Sequence, residues 1–129
     1  MSLALVLALL AGPPAVFVNE ADVVRREPPP HNGKGMSTAY RISDVAPNRT
    51  LEFRKRVLHK GASIGLHPLG HDEVYYVLSG AGDVTSDGVT RRLTAGGAAY
   101  LYKDANVGIV QVGDEDLTII IAYPVVTAR

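Results

Sequence analysis

Two histidines and a glutamate fall within one short run between Gly61 and Gly80: His67, His71 and Glu73. Imidazole and carboxylate are ligands for a divalent metal ion, and the chain has no cysteine to offer a thiolate. Each ligand atom must lie about 2 Å from the ion, whereas a fully extended chain would separate residues 67 and 73 by about 20 Å. The backbone must therefore reverse between them. Pro68, Gly70 and Asp72 are residue types that permit a turn there. A site of His67, His71 and Glu73, completed by water, suits a Lewis-acid ion, or one that activates water or dioxygen. The alternative is a pocket without metal, in which the same groups bond to neighbouring side chains.

Alternation nominates further residues. Tyr75 and Val77 share the face of Glu73 on an extended strand, and Tyr100 shares a face with Tyr102. Tyr75 and Tyr102 are thus candidate proton donors or positioning groups for a substrate. From 51 to 58, Glu52, Arg54 and Arg56 occupy one face, and Leu51, Phe53 and Val57 the other. The favoured expectation sends the charged face to solvent, because such residues are rarely buried. The sharper one turns Arg54 or Arg56 into a cavity, where a guanidinium would clamp a carboxylate or sugar acid. His31, in a Gly-rich turn cluster, reads as solvated, and His59, beside Lys60-Gly61, as exposed.

The elements that must carry these groups are strands. Residues 38–42, 51–58, 63–67, 73–78, 84–85, 89–93, 98–102, 106–112 and 117–123 are short β-branched, aromatic or alternating runs separated by turn residues. Asp87-Gly88 between two of them is a hairpin signal. So many strands, with no helical period after residue 30, predict an all-β sandwich or barrel. The expected organisation has three parts. Residues 1–18 are an apolar N-terminal segment, 19–36 an arm along the barrel surface, and 37–129 the barrel domain. The first segment reads either as the h-region of a secretory signal or as a short buried helix or strand, with 15–18 as an edge strand. The signal reading implies a secreted or periplasmic protein, and the other a cytoplasmic one. The run is shorter than the roughly 20 apolar residues that span a bilayer, so no stable membrane insertion is expected.

Composition excludes several classes. Thirteen basic and thirteen acidic residues leave no net charge, so no nucleic-acid partner is expected. Without cysteine there is no disulfide framework. No nucleophile elbow or phosphate-binding loop is present, and Gly96-Gly97 lacks the helix that a nucleotide cradle needs.

The stretch also resembles the first motif of the cupin superfamily. Gly61 is followed by five residues and His67, and Glu73 by six residues and Gly80. The second motif resembles residues 96–113, and the likeness runs from about residue 50 to 123. The resemblance implies a jelly-roll barrel, commonly a homodimer, that often holds Zn, Mn, Fe or Ni through three histidines and a glutamate. Here Leu69 stands at the second histidine position, Val107 at the last and Lys103 at a usual proline. His67 and Glu73 carry over, with His71 as a substitute ligand. The resemblance therefore implies a small cupin with a degenerate metal site.

Three functions follow as expectations. One is a divalent-metal-dependent enzyme acting on a sugar or carboxylic acid. Another is a metal-free module that binds a small carbohydrate or carboxylate, a reading favoured by apolar Leu69 and Val107. The third is a structural dimer with a vestigial pocket.

Overall fold

Period-2 alternation over most of the chain builds strands with two different faces, and two sheets close those faces on each other. The computed structural model describes residues 12–125. The apolar run before Gly12, with its signal-peptide reading, lies outside them. Among the described residues ten strands form two antiparallel sheets, the jelly-roll arrangement expected. In chain order they are β1 (Val24–Glu27), β2 (Ser37–Tyr40), β3 (Leu51–Leu58), β4 (Ser63–Pro68), β5 (Glu73–Ser79), β6 (Ala81–Ser86), β7 (Val89–Thr94), β8 (Ala98–Leu101), β9 (Asn106–Val112) and β10 (Leu117–Pro124). The larger sheet runs β1-β2-β3-β10-β5-β8 and the smaller β4-β9-β6-β7. No helix among the described residues is long and apolar enough to cross a membrane.

Local signals act where they were read. Asp87 and Gly88 both take positive φ (48° and 79°) in the tight turn joining β6 to β7, the backbone that a two-residue hairpin requires. Three segments differ from expectation. Residues 15–18 form no strand, and Phe17 is 93% exposed. The strand expected over 38–42 ends at Tyr40 and gives way to a 3₁₀ turn, Ile42–Val45. There the Ser43 hydroxyl donates to Glu52 Oε1 (2.7 Å) and accepts from the Phe53 amide (3.0 Å), which binds the turn to β3. Residues 19–36 do more than lie along the surface. Within them, β1 pairs with β2 at the sheet edge, and the proline run turns inward over β4.

The main departure concerns β3. Its charged face points inward: Glu52 and Arg56 are 8% and 5% exposed, while Leu51 and Phe53 are 66% and 44% exposed. Pairing makes the inversion tolerable. Glu52 accepts from Arg49 Nε (2.6 Å) and Nη2 (3.1 Å) and from Arg54 Nη2 (3.3 Å). Arg54 Nη2 also reaches Asp44 Oδ1 (3.0 Å). On the outer face the Lys55 ammonium meets Glu20 at 2.7 Å and lies over the Tyr40 ring. His59 is not free in solvent: it bridges Thr38 Oγ1 (2.8 Å) and Asp116 Oδ2 (2.9 Å).

The Arg49 hydrogen bond, helped by Ser43 and by the charges of Arg54 and Arg49, pulls the Glu52 carboxyl down to about 2 against the opposing effect of burial. A group depressed by folding stabilises the fold fully above its unfolded value of 4.5, and that stabilisation is lost as pH falls toward about 2. Melting temperature should therefore drop between about pH 5 and pH 2. Glu52→Gln should flatten that slope and cost about 1–3 kcal/mol at pH 7 in urea unfolding.

Candidate functional site

Inward residues of the large sheet, together with the proline-rich arm and β4, line an open cavity of about 240 Å³. β3 supplies Arg54 and Arg56, β5 supplies Glu73 and Tyr75, and β10 supplies Ile121 and Tyr123. The arm adds Pro28, Pro30 and His31. Register explains the grouping: Arg54 pairs with Ile121, which pairs with Tyr75, so all three fall in one row across the sheet.

The facing wall depends on a bulge. The pairing of β4 with β9 shifts between Ile64 and His67, and this irregularity sets His67 toward the cavity. The His67 Nδ1 donates to the Gly65 carbonyl at 2.8 Å, which fixes its tautomer and leaves Nε2 available. The His31 ring stacks on it at 3.4 Å between centroids and 8° from parallel. His31 is therefore not the solvated turn residue expected. Burial, and then the charge of His67, lower its basicity. The arm reaches this position because Gly65 has no side chain: a Cβ there would fall well inside contact distance of the His31 carbonyl oxygen. Gly33 meets the Ser63 carbonyl in the same way. Backbone bonds from Ser63 to Lys34 (3.0 Å) and from Gly65 to Pro30 (3.4 Å) complete the seam.

The cavity is lined by cations of unequal status. The Arg41 fork holds Glu27 through Nε and Nη2, at 2.8 to 3.2 Å, so the pair is neutral. Arg54 is balanced by Asp44 and Glu52, but its Nε is buried without a partner. Arg56 forms no ion pair with any described residue, and its one hydrogen bond runs from Nη1 to the Ser37 hydroxyl (2.8 Å). Burial lowers its pKa first; the charges of Arg41 and Arg54 also lower it, and Glu27 opposes them.

Glu73 lies 7% exposed on the cavity wall. Burial pushes its carboxyl up, while the Tyr75 hydroxyl and the charges of His71 and His67 pull it back. Burial, and then Glu73, drive Tyr75 well above the usual phenol range. His71 sits 3.8 Å from Glu73 Oε1, with its ring stacked on Tyr123 at 4.3 Å.

These positions bear on the expected metal site. Among the described residues no group of three or more His, Asp or Glu side chains is placed to hold an ion. Leu69 and Val107, where the resemblance implies two histidines, are 3% and 0% exposed in the hydrophobic core. The donor set does not fit a resident metal. Tyr102 is also away from the cavity: it follows the end of β8, is 68% exposed, and packs against Tyr100 at 5.1 Å. Of the three expected substrate contacts, Arg54 and Tyr75 line the cavity and Tyr102 does not. Glu27, His31, Arg41 and Tyr123 line it without having been singled out as contacts. Only His31 carried a signal, a Pro-Pro-Pro-His run followed by Gly33 and Gly35, which permit close backbone approach.

The sheet order and the inward-facing polar cavity define a small jelly-roll barrel. A model of the cupin domain matches residues 55–123, more than half of the chain. The chain belongs to that family. Its fold is shared with a predicted oxalate decarboxylase from Thermotoga maritima, at 23% identity and a TM-score of 0.76 over 86% of this chain and 100% of the other. The polyketide cyclase RemF from Streptomyces resistomycificus aligns at 18% identity and a TM-score of 0.71, covering 85% of this chain and 79% of its own. KdgF from Halomonas sp. aligns at 24% identity and a TM-score of 0.59, covering 73% and 86%. No curated protein matches the chain.

Gly65→Ala should force the arm off β4 and unstack His31 from His67. The expected cost is about 1–3 kcal/mol in urea unfolding. Amide exchange should rise in residues 30–35, with the β6–β7 hairpin unaffected.

Proposed function

We propose that this cupin barrel binds a small organic carboxylate in its cavity, with Arg56 as the anchor and without a resident metal. One observation carries the reading: a guanidinium 5% exposed, at the edge of a cavity, with no carboxylate partner among the described residues. A cation taken out of water costs several kcal/mol unless an opposite charge compensates it. Glu27, Asp44 and Glu52 are already engaged with Arg41, Arg49 and Arg54, and Glu73 forms no ion pair with Arg56. A ligand carboxylate meets that need, and the planar fork of Arg56 matches its geometry. Arg54 Nε, buried and unpartnered, offers a second donor beside it. Ile64, Ile121, Pro28 and Pro30 supply apolar walls that exclude water and strengthen the charge interaction.

Glu73, with its raised pKa, and Tyr75 are suited to hold or donate a proton near a bound acid. A second reading, a divalent ion on His67, His71 and Glu73 in an enzyme, draws on the 3.8 Å approach of His71 to Glu73.

Thermal-shift and calorimetric titration with acetate and lactate, with chelator present, separates the two. Stabilisation by carboxylate in chelator is expected. Stabilisation that requires added Zn, Mn, Fe or Ni would favour the metal reading and overturn this one. Elemental analysis of purified protein should find no stoichiometric metal, before or after His67→Ala.

Arg56→Met gives a sharper test. Removing a buried, uncompensated charge and keeping its volume should leave the unliganded protein as stable or more stable. Carboxylate affinity should fall about tenfold to a hundredfold, the loss of a charge-assisted hydrogen bond.

A further inference from the structure

We infer that the ligand is a small hydroxylated monocarboxylate, bound with its carboxylate at Arg56 and Arg54 and a hydroxyl at Glu73, and that dicarboxylates are rejected. The inference rests on the carboxylate reading above and adds the chemical class.

Size comes first. At about 30 Å³ per water, a cavity of about 240 Å³ has room for about eight water molecules. That matches an acid of roughly three or four carbons bearing hydroxyl groups.

Polarity then divides the cavity. On β3 stand the two guanidinium groups with unused donors, Arg54 and Arg56. On β5, beyond the intervening β10, stand Glu73 and Tyr75. Two inter-strand spacings separate the β3 and β5 backbones by about 10 Å. A ligand that reaches both walls meets donors at one end and a carboxyl group at the other. Two ends of like charge do not suit these walls. A second carboxylate would face Glu73 across a water-poor space, where like charges repel strongly. A hydroxyl donates to Glu73 or to His67 Nε2 at no such cost, and accepts from Tyr75. Nor does the cation count favour a dianion. Arg41 is matched by Glu27, and Arg49 and Arg54 by Asp44 and Glu52, so Arg56 is the one guanidinium of the cavity without an ion pair among the described residues.

His31 closes the remaining side through its stack on His67 and adds no acidic group.

The test is calorimetric titration at pH 7, with chelator, of four probes: threonate, butyrate, succinate and erythritol. Threonate is expected to bind at least tenfold tighter than butyrate, which lacks hydroxyls, and than succinate, which carries a second carboxylate. Erythritol, without a carboxylate, should not bind. In Glu73→Gln, which removes the charge and keeps the shape, succinate affinity should rise at least tenfold relative to the parent protein. Circular dichroism and melting curves establish that the variant folds, and the parent-protein ranking stands as a test without it. Succinate or butyrate binding as tightly as threonate overturns the hydroxy-acid class and leaves the carboxylate reading intact. No binding of any of the three acids overturns both. Erythritol binding as tightly as threonate overturns the carboxylate anchor itself.

Discussion

A charged strand face turned inward is the constraint on which the rest of this barrel depends. Glu52, Arg54 and Arg56 leave water together on β3, and burial of ionised groups is tolerable only with partners. Much of the surrounding structure supplies them. The 3₁₀ turn after β2 brings Ser43 and Asp44 to Glu52 and Arg54, Arg49 closes on Glu52, and Ser37 takes one nitrogen of Arg56. Arg41 and Glu27 neutralise each other at the edge. The ledger leaves one guanidinium unmatched, and it lines the cavity.

Leu69 and Val107 stand where the resemblance to the cupin motifs implies histidines. Both are buried in the core with Leu101, Ala105 and Ile109. An imidazole there would need hydrogen-bond partners that an apolar core lacks. Arg41, Arg54 and Arg56 bring positive charge to the cavity wall. A guanidinium differs from a metal ion in having fixed directional donors and no open coordination positions, so it favours recognition of a planar carboxylate.

The second organising feature is the close approach of the arm to β4. Gly33 and Gly65 let two backbones meet without side chains between them, and the seam carries His31 onto His67. The bulge in β4 makes the matching adjustment from the other side. Neither feature packs a large hydrophobic surface. Together they turn an irregular segment into a wall, and His31, though a turn residue, becomes part of the pocket.

Alternation and turn chemistry by themselves determined the strands and several of their ends: Leu51–Leu58 and Asn106–Val112 are as expected, and Asp87-Gly88 turns its hairpin. That Glu73, Tyr75 and Val77 share one face followed from the same period. Which side of β3 faces inward did not, because alternation marks two faces without naming the buried one. The partners that make a buried Arg54 or Glu52 tolerable lie on other elements. The residue types of His67, His71 and Glu73 likewise announced a polar site, but convergence on one point is a three-dimensional property. Only the tertiary structure decided that Leu69 and Val107 are core, that Tyr102 lies outside, and that His31 and Arg56 belong to the cavity. In each case the deciding contacts join residues far apart in the chain, and pattern in one dimension records only what neighbours along the backbone require.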